Sequence, residues 1–289
     1  MKVAFIGLGV MGYPMAGHLQ KAGYDVCVYN RTAAKAQSWQ AEFGGSMALT
    51  PKEASQHCDI VFCCVGNDND VREVILGEQG VLAGLPKGAL LVDHTTASAD
   101  IAREISLIAK ANQQHFLDAP VSGGQAGAEN GVLTVMLGGD EASFAKAQPV
   151  MAAYARFSQL MGDVGAGQLA KMVNQICIAG VVQGLAEGFN FAKKVGLDPK
   201  ALVETISKGA AGSWQMENRY ETMFAGDFDF GFAVDWMRKD LAIAFEEASK
   251  NNVDLPMTKM VDDFYQEIQN NGKGGNRWDT SSLISRFED

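Results

Sequence analysis

The feature that most constrains the fold is the segment GLGVMG, which follows the apolar run KVAFIG at the start of the chain and precedes a helical pattern. A glycine fingerprint in that context is typical of the first turn of a dinucleotide-binding βαβ unit. Gly7 would permit the tight turn, Gly9 would let a pyrophosphate approach, and Gly12 would let helix pack against strand. The helix N-terminus would supply amide donors for the phosphates. The alternative is that these glycines only make a turn.

Apolar runs and helical patterns alternate through the rest of the first half of the chain. The strand-like runs are residues 2–7, 25–30, 59–65, 89–94 and 115–120, with a later one at 132–140. Nearly continuous apolar strands that alternate with helices indicate a parallel sheet covered on both faces. We therefore predict an α/β, Rossmann-type domain.

The pattern changes at about residue 166. A segment of some thirty residues without proline has apolar positions all round, which predicts one long, mostly buried helix. The rest of the chain is helical, with breaks at glycine and proline. We predict a dinucleotide-binding domain over residues 1–163 and an all-helical domain over residues 164–289, joined by the long helix.

The charge balance argues against some partners. The net charge of −10 disfavours nucleic acid or an anionic membrane as the main partner. No apolar run is expected to span a bilayer. The five cysteines are odd in number and lack a CxxC pair, so we interpret them as buried thiols in the reducing cytoplasm. The four histidines lack ligand spacing, and we expect no metal site.

The end of the second predicted strand bears on cofactor choice. An acidic residue there would bind the ribose 2′-hydroxyl and repel a 2′-phosphate, but the chain has Asn30. Arg31 follows and could pair with a 2′-phosphate, and Thr32 and Lys35 are close in sequence. We therefore expect NADP to be preferred, with NAD possible. The alternative is that Arg31 is an ordinary surface arginine.

Five segments spread over nearly the whole chain resemble the β-hydroxyacid dehydrogenase family, the 3-hydroxyisobutyrate dehydrogenase-like enzymes. They are FIGLGVMGYPMAGHL, DHTTAS, DAPVSGGQAGAENG, GAGQLAKMVNQ and RKDLAIAFEEA. The resemblance implies an active site between the two domains and NAD(P)-dependent interconversion of a short 3-hydroxy acid and its semialdehyde. It also implies a homodimer or homotetramer.

The resemblance assigns cofactor and substrate contacts position by position. Ser122, Gly123 and Gly124 match the turn that binds the substrate carboxylate, and their N–H groups and hydroxyl could form an anion-binding nest. The alternative is a plain glycine-rich turn. The expected cofactor contacts, which include the remaining fingerprint residues, are Leu8, Val10, Met11, Val65, Asn67, Thr96 and Lys239.

The catalytic group implied by the resemblance is Lys171. Oxidising an alcohol by hydride transfer requires a general base for the hydroxyl proton, and the reverse reaction requires an acid. Apolar neighbours disfavour the charged amine and a substrate carboxylate favours it, so the sequence leaves its protonation open. Asn174 and Gln175, at i+3 and i+4, could orient the substrate. The alternative is a lysine that extends to solvent.

One departure concerns the pocket. Family members usually carry two successive asparagines where this chain has Asn174 and Gln175. Glutamine makes the same amide hydrogen bonds from one carbon further away, so substrate size is left open. Two other functions also stay open: an imine reductase-like enzyme, against which Lys171 argues, and a non-catalytic NADP(H)-binding sensor.

Overall fold

The computed structural model describes residues 1–287, and the chain divides into two compact units, Met1–Lys171 and Met172–Asp289. The predicted boundary was at 163/164, whereas the division between the units falls inside a helix. Each unit is described by itself below.

The N-terminal unit contains one mixed sheet. The strands described are β1 (Lys2–Ile6), β2 (Asp25–Tyr29), β3 (Ser46–Met47), β4 (Ile60–Cys63), β5 (Leu90–Asp93), β6 (His115–Asp118), β7 (Val121–Ser122), β8 (Leu133–Gly138) and β9 (Ala155–Gly162). Their order is β3-β2-β1-β4-β5-β6-β8-β7, with β9 beside β8. From β3 to β6 all pairs are parallel, whereas β8 is antiparallel to β6 and β7.

Helices cover both faces of this sheet. They are α1 (Gly12–Lys21), α2 (Ala33–Phe43), α3 (Pro51–Ser55), α4 (Asp68–Leu76), α5 (Val81–Gly84), α6 (Ala99–Ala111), α7 (Gly124–Glu129) and α8 (Glu141–Met151). In β1, Val3 and Phe5 belong to one apolar cluster and Ala4 and Ile6 to another. Because successive side chains of a strand point to opposite faces, both faces of the central strand are core.

The C-terminal unit is helical. Its elements are most of α9 (Ala166–Val195), then α10 (Pro199–Ile206), α11 (Trp214–Ala225), α12 (Val234–Lys250), α13 (Pro256–Gln269) and two 3₁₀ helices, Gly275–Arg277 and Thr280–Phe287. They enclose a core that includes Met237, Leu241 and Tyr265. The predicted fold class, a Rossmann-type domain followed by an all-helical domain with a long helix, is confirmed.

Two expectations are wrong in part: that α9 is mostly buried, and that all five cysteines are buried thiols. Among the described residues, α9 is long and apolar enough to cross a membrane by length and composition alone, and 44% of its most apolar window is buried. The core helix of a globular protein passes the same test, so this is weak evidence for a membrane span. The helix exposes much of one side, including Cys177, and Cys64 is only half-buried, so not all thiols are buried.

Candidate functional site

The three fingerprint glycines are in three different environments. Gly7 has a φ of +95°, and a Cβ there would lie 2.3 Å from the carbonyl oxygen of Cys64. At Gly12 a Cβ would lie 2.0 Å from the carbonyl oxygen of Gly7, so both positions exclude a side chain. A Cβ on Gly9 would meet nothing within 4 Å. The loop therefore has a thin wall facing open space at Gly9, which fits a pyrophosphate at the start of α1.

Asn30, which directly follows β2, is hydrogen-bonded to this loop through its side chain. Its Oδ1 accepts a hydrogen bond from the Leu8 N–H at 2.9 Å, and its Nδ2 donates to the Thr32 carbonyl at 3.0 Å. Leu8 is buried, Met11 packs against the core and Val10 is exposed. Asn30 therefore shapes the fingerprint turn, a role that its position after β2 did not predict.

Arg31 is paired with acidic residues of α4. Its guanidinium Nη1 lies 3.3 Å from Asp70 Oδ1 and 4.0 Å from Glu73 Oε2, and its side chain is 76% exposed. Lys35 is also exposed. Exposed ion pairs contribute little free energy, so the guanidinium can exchange partners readily.

The predicted cofactor contacts after β4, Val65 and Asn67, take part in hydrogen bonds between a side-chain oxygen and backbone N–H groups. The Val65 N–H donates to Thr95 Oγ1 at 3.0 Å. Asn67 is the N-cap of α4, and its Oδ1 accepts from the N–H groups of the second and third residues after it. Thr96 is half-buried. The Asn67 side chain therefore has a structural role that accounts for its residue type.

Gln168, in the first turn of α9, fixes the segment around Thr96. Its Oε1 accepts from the Ala97 N–H at 3.1 Å, and its Nε2 donates to the Thr95 carbonyl at 2.7 Å. The Gln168 side chain thus binds the peptide groups on both sides of Thr96. Sequence reasoning missed this residue, although it lies inside the segment GAGQLAKMVNQ.

The predicted cofactor residues of the N-terminal unit share one edge of the sheet. The fingerprint follows β1, Asn30 and Arg31 follow β2, Val65 and Asn67 follow β4, and Thr96 follows β5. These four strands are neighbours and parallel, so the segments after them emerge at the same edge. Ligands of open α/β sheets bind at this carboxyl edge.

The turn of DAPVSGG joins β7 to α7. Ser122 ends β7, and Gly123 and Gly124 have φ angles of +132° and +60°. A Cβ on Gly124 would meet nothing within 4 Å, whereas one on Gly123 would lie 3.0 Å from Leu133 Cδ2. The turn therefore needs glycine for its conformation and leaves open space beside Gly124.

Asp118 is buried and binds the start of α9. Its Oδ1 accepts from the Gly165 N–H at 2.7 Å and its Oδ2 from the Gln168 N–H at 2.9 Å. Burial raises the pKa of this carboxyl, and the backbone hydrogen bonds oppose that shift. A Cβ on Gly138 or Gly167 would lie within 3 Å of its carboxylate oxygens. Asp118 therefore caps α9 from the end of β6, which is a structural role.

A second buried polar cluster lies at the end of β5. Burial raises the pKa of Asp93 to about 7 and lowers the pKa of His94 to about 4. His94 Nδ1 lies 2.6 Å from the Ala119 carbonyl oxygen and Nε2 lies 2.8 Å from the Tyr154 hydroxyl. Because both ring nitrogens are engaged inside the core, this histidine is structural.

Lys171 is buried, with 7% of the residue exposed, in the second turn of α9. A lysine that extended to solvent would keep its ammonium group exposed. Its burial therefore argues against the alternative of a lysine that extends to solvent, and it is compatible with a functional amine. Asn174 follows three residues later in the same helix and is half-buried.

Gln175, predicted as a substrate contact, has both amide atoms hydrogen-bonded inside the C-terminal unit. Its Oε1 accepts from Asn174 Nδ2 at 2.8 Å, and its Nε2 donates to Asp240 Oδ2 at 2.8 Å. Lys239, predicted near the cofactor, has its Nζ 3.0 Å from Asp240 Oδ1. Among residues 1–287, no group of three His, Cys, Asp or Glu side chains could hold a metal ion.

Two protein-family models match the chain, and each covers approximately one of the two units. Residues 2–173 match the model described as the NAD-binding domain of 6-phosphogluconate dehydrogenase. Residues 165–287 match the model described as NAD-binding of NADP-dependent 3-hydroxyisobutyrate dehydrogenase. The two matches overlap at the start of α9, the segment that carries Gln168 and Lys171.

Several curated relatives are similar over almost their whole length. An uncharacterized oxidoreductase of Shewanella frigidimarina is 65% identical over 99% of this chain and 98% of the relative. A probable mitochondrial 3-hydroxyisobutyrate dehydrogenase-like protein of Arabidopsis thaliana is 41% identical over 94% and 81%. The 2-hydroxy-3-oxopropionate reductase of Escherichia coli is 33% identical over 100% and 97%.

Among solved structures, the 3-hydroxyisobutyrate dehydrogenase of Mycobacterium tuberculosis, described with L-serine, has a TM-score of 0.88 at 30% identity. The match covers 100% of this chain and 99% of that one. Sequence and fold therefore agree over both units.

Proposed function

This chain belongs to the β-hydroxyacid dehydrogenase family and is an NAD(P)-dependent oxidoreductase, and from that premise we propose that it interconverts a short 3-hydroxy acid and its semialdehyde, with NADPH as the preferred reductant. The nicotinamide cofactor would supply or accept the hydride at the carbonyl carbon. The protein would bind the carboxylate, orient the reacting oxygen and move one proton.

The observation that carries the proposal is the burial of Lys171 in α9. A lysine amine kept from solvent can hold a proton for the oxygen that develops negative charge during reduction. In the reverse direction the same amine accepts the hydroxyl proton. Asn174, at i+3 in the same helix, is suited to orient the reacting groups.

The carboxylate would bind at the turn of Ser122, Gly123 and Gly124. Successive N–H groups and one hydroxyl make a suitable site for a single small anion. The open space beside Gly124 supports this assignment. The names of the Arabidopsis and Escherichia coli relatives agree with substrates of this class, namely hydroxyisobutyrate and hydroxyoxopropionate.

The preference for NADP rests on residues that follow β2. No acidic side chain occupies position 30, and the exposed Arg31 guanidinium can exchange Asp70 for a 2′-phosphate. Asn30 is engaged with the fingerprint loop, which leaves Arg31 as the principal residue for this choice.

The test is side-by-side turnover of NADPH and NADH with succinic, methylmalonic and tartronic semialdehydes and glyoxylate. We expect NADPH-linked reduction of methylmalonic or tartronic semialdehyde, whose products carry a 3-hydroxyl group. Succinic semialdehyde and glyoxylate, which give a 4-hydroxy and a 2-hydroxy acid, test how strictly the pocket selects chain length. Lys171→Ala should lower kcat at least 100-fold, as removal of a general acid does, while NADPH affinity stays within about twofold. Tight NADPH binding without turnover of any of the four would contradict the proposed substrates.

We also propose a homo-oligomer that forms through α9. Seven small or apolar residues recur at intervals of three or four on its exposed side: Val173, Cys177, Val181, Gly184, Gly188, Phe191 and Val195. A continuous exposed apolar stripe of this kind is typical of an interface. A second copy of the same helix would meet it with a self-complementary surface.

A further inference from the structure

A hydrogen-bonded chain of four polar side chains links α9 to α12 in the C-terminal unit. It runs from Asn174 through Gln175 and Asp240 to Lys239. Gln175 is 1% exposed and Asp240 is 3% exposed. A buried carboxylate and a buried amide are costly unless their hydrogen bonds are made, so the partners of this chain are tightly constrained.

The charges at one end fix the direction of every hydrogen bond along the chain. Lys239 Nζ lies 3.0 Å from Asp240 Oδ1, and a carboxylate paired with an ammonium group can only accept hydrogen bonds. The end of Gln175 that faces Asp240 must therefore be Nε2, at 2.8 Å, and Oε1 faces Asn174. Asn174 must then turn its Nδ2 towards Gln175, since the opposite rotamer would set two carbonyl oxygens against each other.

This polarity sets what Asn174 presents on its other side. Once its NH₂ group faces Gln175, its Oδ1 is directed away from Gln175. We propose that Gln175, oriented by Asp240, is a positioning residue that makes Asn174 a hydrogen-bond acceptor in the site. The inference rests on the proposed function, in which Asn174 orients the reacting groups. As an acceptor, Asn174 would take a hydrogen bond from an N–H or O–H donor that takes part in proton transfer.

The length of the glutamine matters for this role. Gln175 spans from the residue beside it in α9 to a carboxylate of α12, with both hydrogen bonds at 2.8 Å. An asparagine at the same position would keep the amide but is one carbon shorter. It could not hold both partners at these distances without movement of one helix.

The experiment is a double-variant cycle in kcat/KM, measured with the aldehyde that the wild type reduces best. Gln175→Met keeps the length and volume of the side chain and removes both hydrogen bonds. We expect both Gln175→Met and Asn174→Ala to lower kcat/KM at least tenfold, with NADPH affinity within about twofold. The double variant should be within about twofold of Asn174→Ala alone, because Gln175 acts only through Asn174.

The matched control is Gln183→Met, two turns further along α9. Gln183 is also buried, and its Nε2 donates to Glu187 Oε1 at 2.7 Å. We expect this variant to retain kcat/KM within about twofold. Independent losses for Gln175→Met and Asn174→Ala that multiply in the double variant would overturn the proposal. So would a Gln175→Met variant with wild-type kcat/KM.

A second substitution gives a readout that a purely structural role would not move. Gln175→Glu preserves shape but sets a carboxylate against Asp240, so the chain re-forms only when a proton is taken up. We expect its kcat/KM to increase towards acidic pH relative to wild type. A pH profile parallel to that of the wild type would contradict the proposal, and this variant serves where Gln175→Met does not fold.

Failure of the proposed function can be told apart from failure of this inference. If the wild type reduces none of the four aldehydes, the proposed function fails, and the same cycle is read in thermal unfolding midpoints. Gln175→Met should then lower the midpoint by several degrees in the wild type and clearly less in the Asn174→Ala background. Equal shifts in both backgrounds would overturn the hydrogen-bonded chain itself.

Discussion

At the scale of single residues, the fingerprint glycines offer a matched pair of substitutions. A methyl group at position 9 meets open space, whereas one at position 12 would lie 2.0 Å from the carbonyl oxygen of Gly7. We expect Gly9→Ala to fold normally and to weaken NADPH binding roughly tenfold, because the added carbon occupies the space of the pyrophosphate. Gly12→Ala should lower the thermal midpoint markedly. Calorimetry with and without NADPH separates the two effects, and equal midpoints for both variants would contradict the geometry.

Arg31 and Asp70 give a second residue-scale prediction, for cofactor choice. Loss of the guanidinium in Arg31→Ala should weaken NADPH binding about tenfold, equivalent to about 1.4 kcal/mol, and leave NADH binding unchanged. Asp70→Asn removes the competing carboxylate at 3.3 Å and should strengthen NADPH binding. Fluorescence titration with both cofactors checks these outcomes. A similar loss for NADPH and NADH in Arg31→Ala would remove Arg31 as the discriminating residue.

At the scale of elements, the attachment of α9 to β6 depends on one carboxylate. Asp118→Ala would leave the N–H groups of Gly165 and Gln168 buried without their acceptor, at a cost of roughly 2–4 kcal/mol. We expect a lower thermal midpoint together with weaker NADPH binding, because Gln168 also holds the peptide groups around Thr96. A matched control is Asp163→Ala, at an exposed position nearby, which should have little effect on either quantity.

The elements also show what the sequence could and could not predict. The six strands with continuous apolar runs were predicted because both sheet faces are core. β9 was missed because most of its side chains are exposed. β3 and β7 were missed because two residues are too few to show an alternating apolar pattern. The fingerprint, Lys171 and Asn174 were predicted as site residues from local pattern and resemblance. The roles of Asn30, Gln168 and Gln175 were not, because each depends on a partner 22 to 73 residues away in the sequence.

The exposed stripe of α9 provides a test at the same scale. Phe191→Asp and Val181→Asp place a charge on the proposed interface and should shift the protein to monomers in sedimentation experiments. Leu107→Asp, at an exposed position of α6, is the control and should leave the assembly unchanged. An unchanged mass for the α9 variants would contradict the proposed interface.

At the scale of the whole molecule, two buried groups give opposing pH dependences of stability. Asp93, with a pKa raised to about 7, keeps a proton that the unfolded chain releases, so stability falls as pH rises from about 4 to 7. His94, with a pKa lowered to about 4, stays neutral while the unfolded chain takes up a proton, so stability rises from about pH 4 to 6.5. Asp118, whose pKa is also raised, acts in the direction of Asp93.

We expect the wild type to show a shallow profile because these contributions offset each other. Asp93→Asn should make stability rise with pH between 4 and 6.5, less steeply than His94 alone would because Asp118 opposes it. His94→Gln should make stability fall because Asp93 and Asp118 then act together; each fully titrating group contributes a limiting slope of about 1.4 kcal/mol per pH unit. Denaturant unfolding at four pH values, followed by circular dichroism, gives the slopes. Slopes of the same sign in both variants would show that Asp93 and His94 do not cause the pH dependence of stability.

The capping of α9 by Asp118 has a consequence for recombining this enzyme with its relatives. A crossover at the end of the last strand, near residue 163, would pair the carboxylate of one parent with the helix start of another. The backbone N–H donors and the carboxylate acceptor would then come from different parents, and their positions would not be matched to each other. Chimeras that exchange residues 1–171 as one block keep the acceptor, its donors and Lys171 from the same parent. Such libraries should yield more folded proteins than those that cross over at 163.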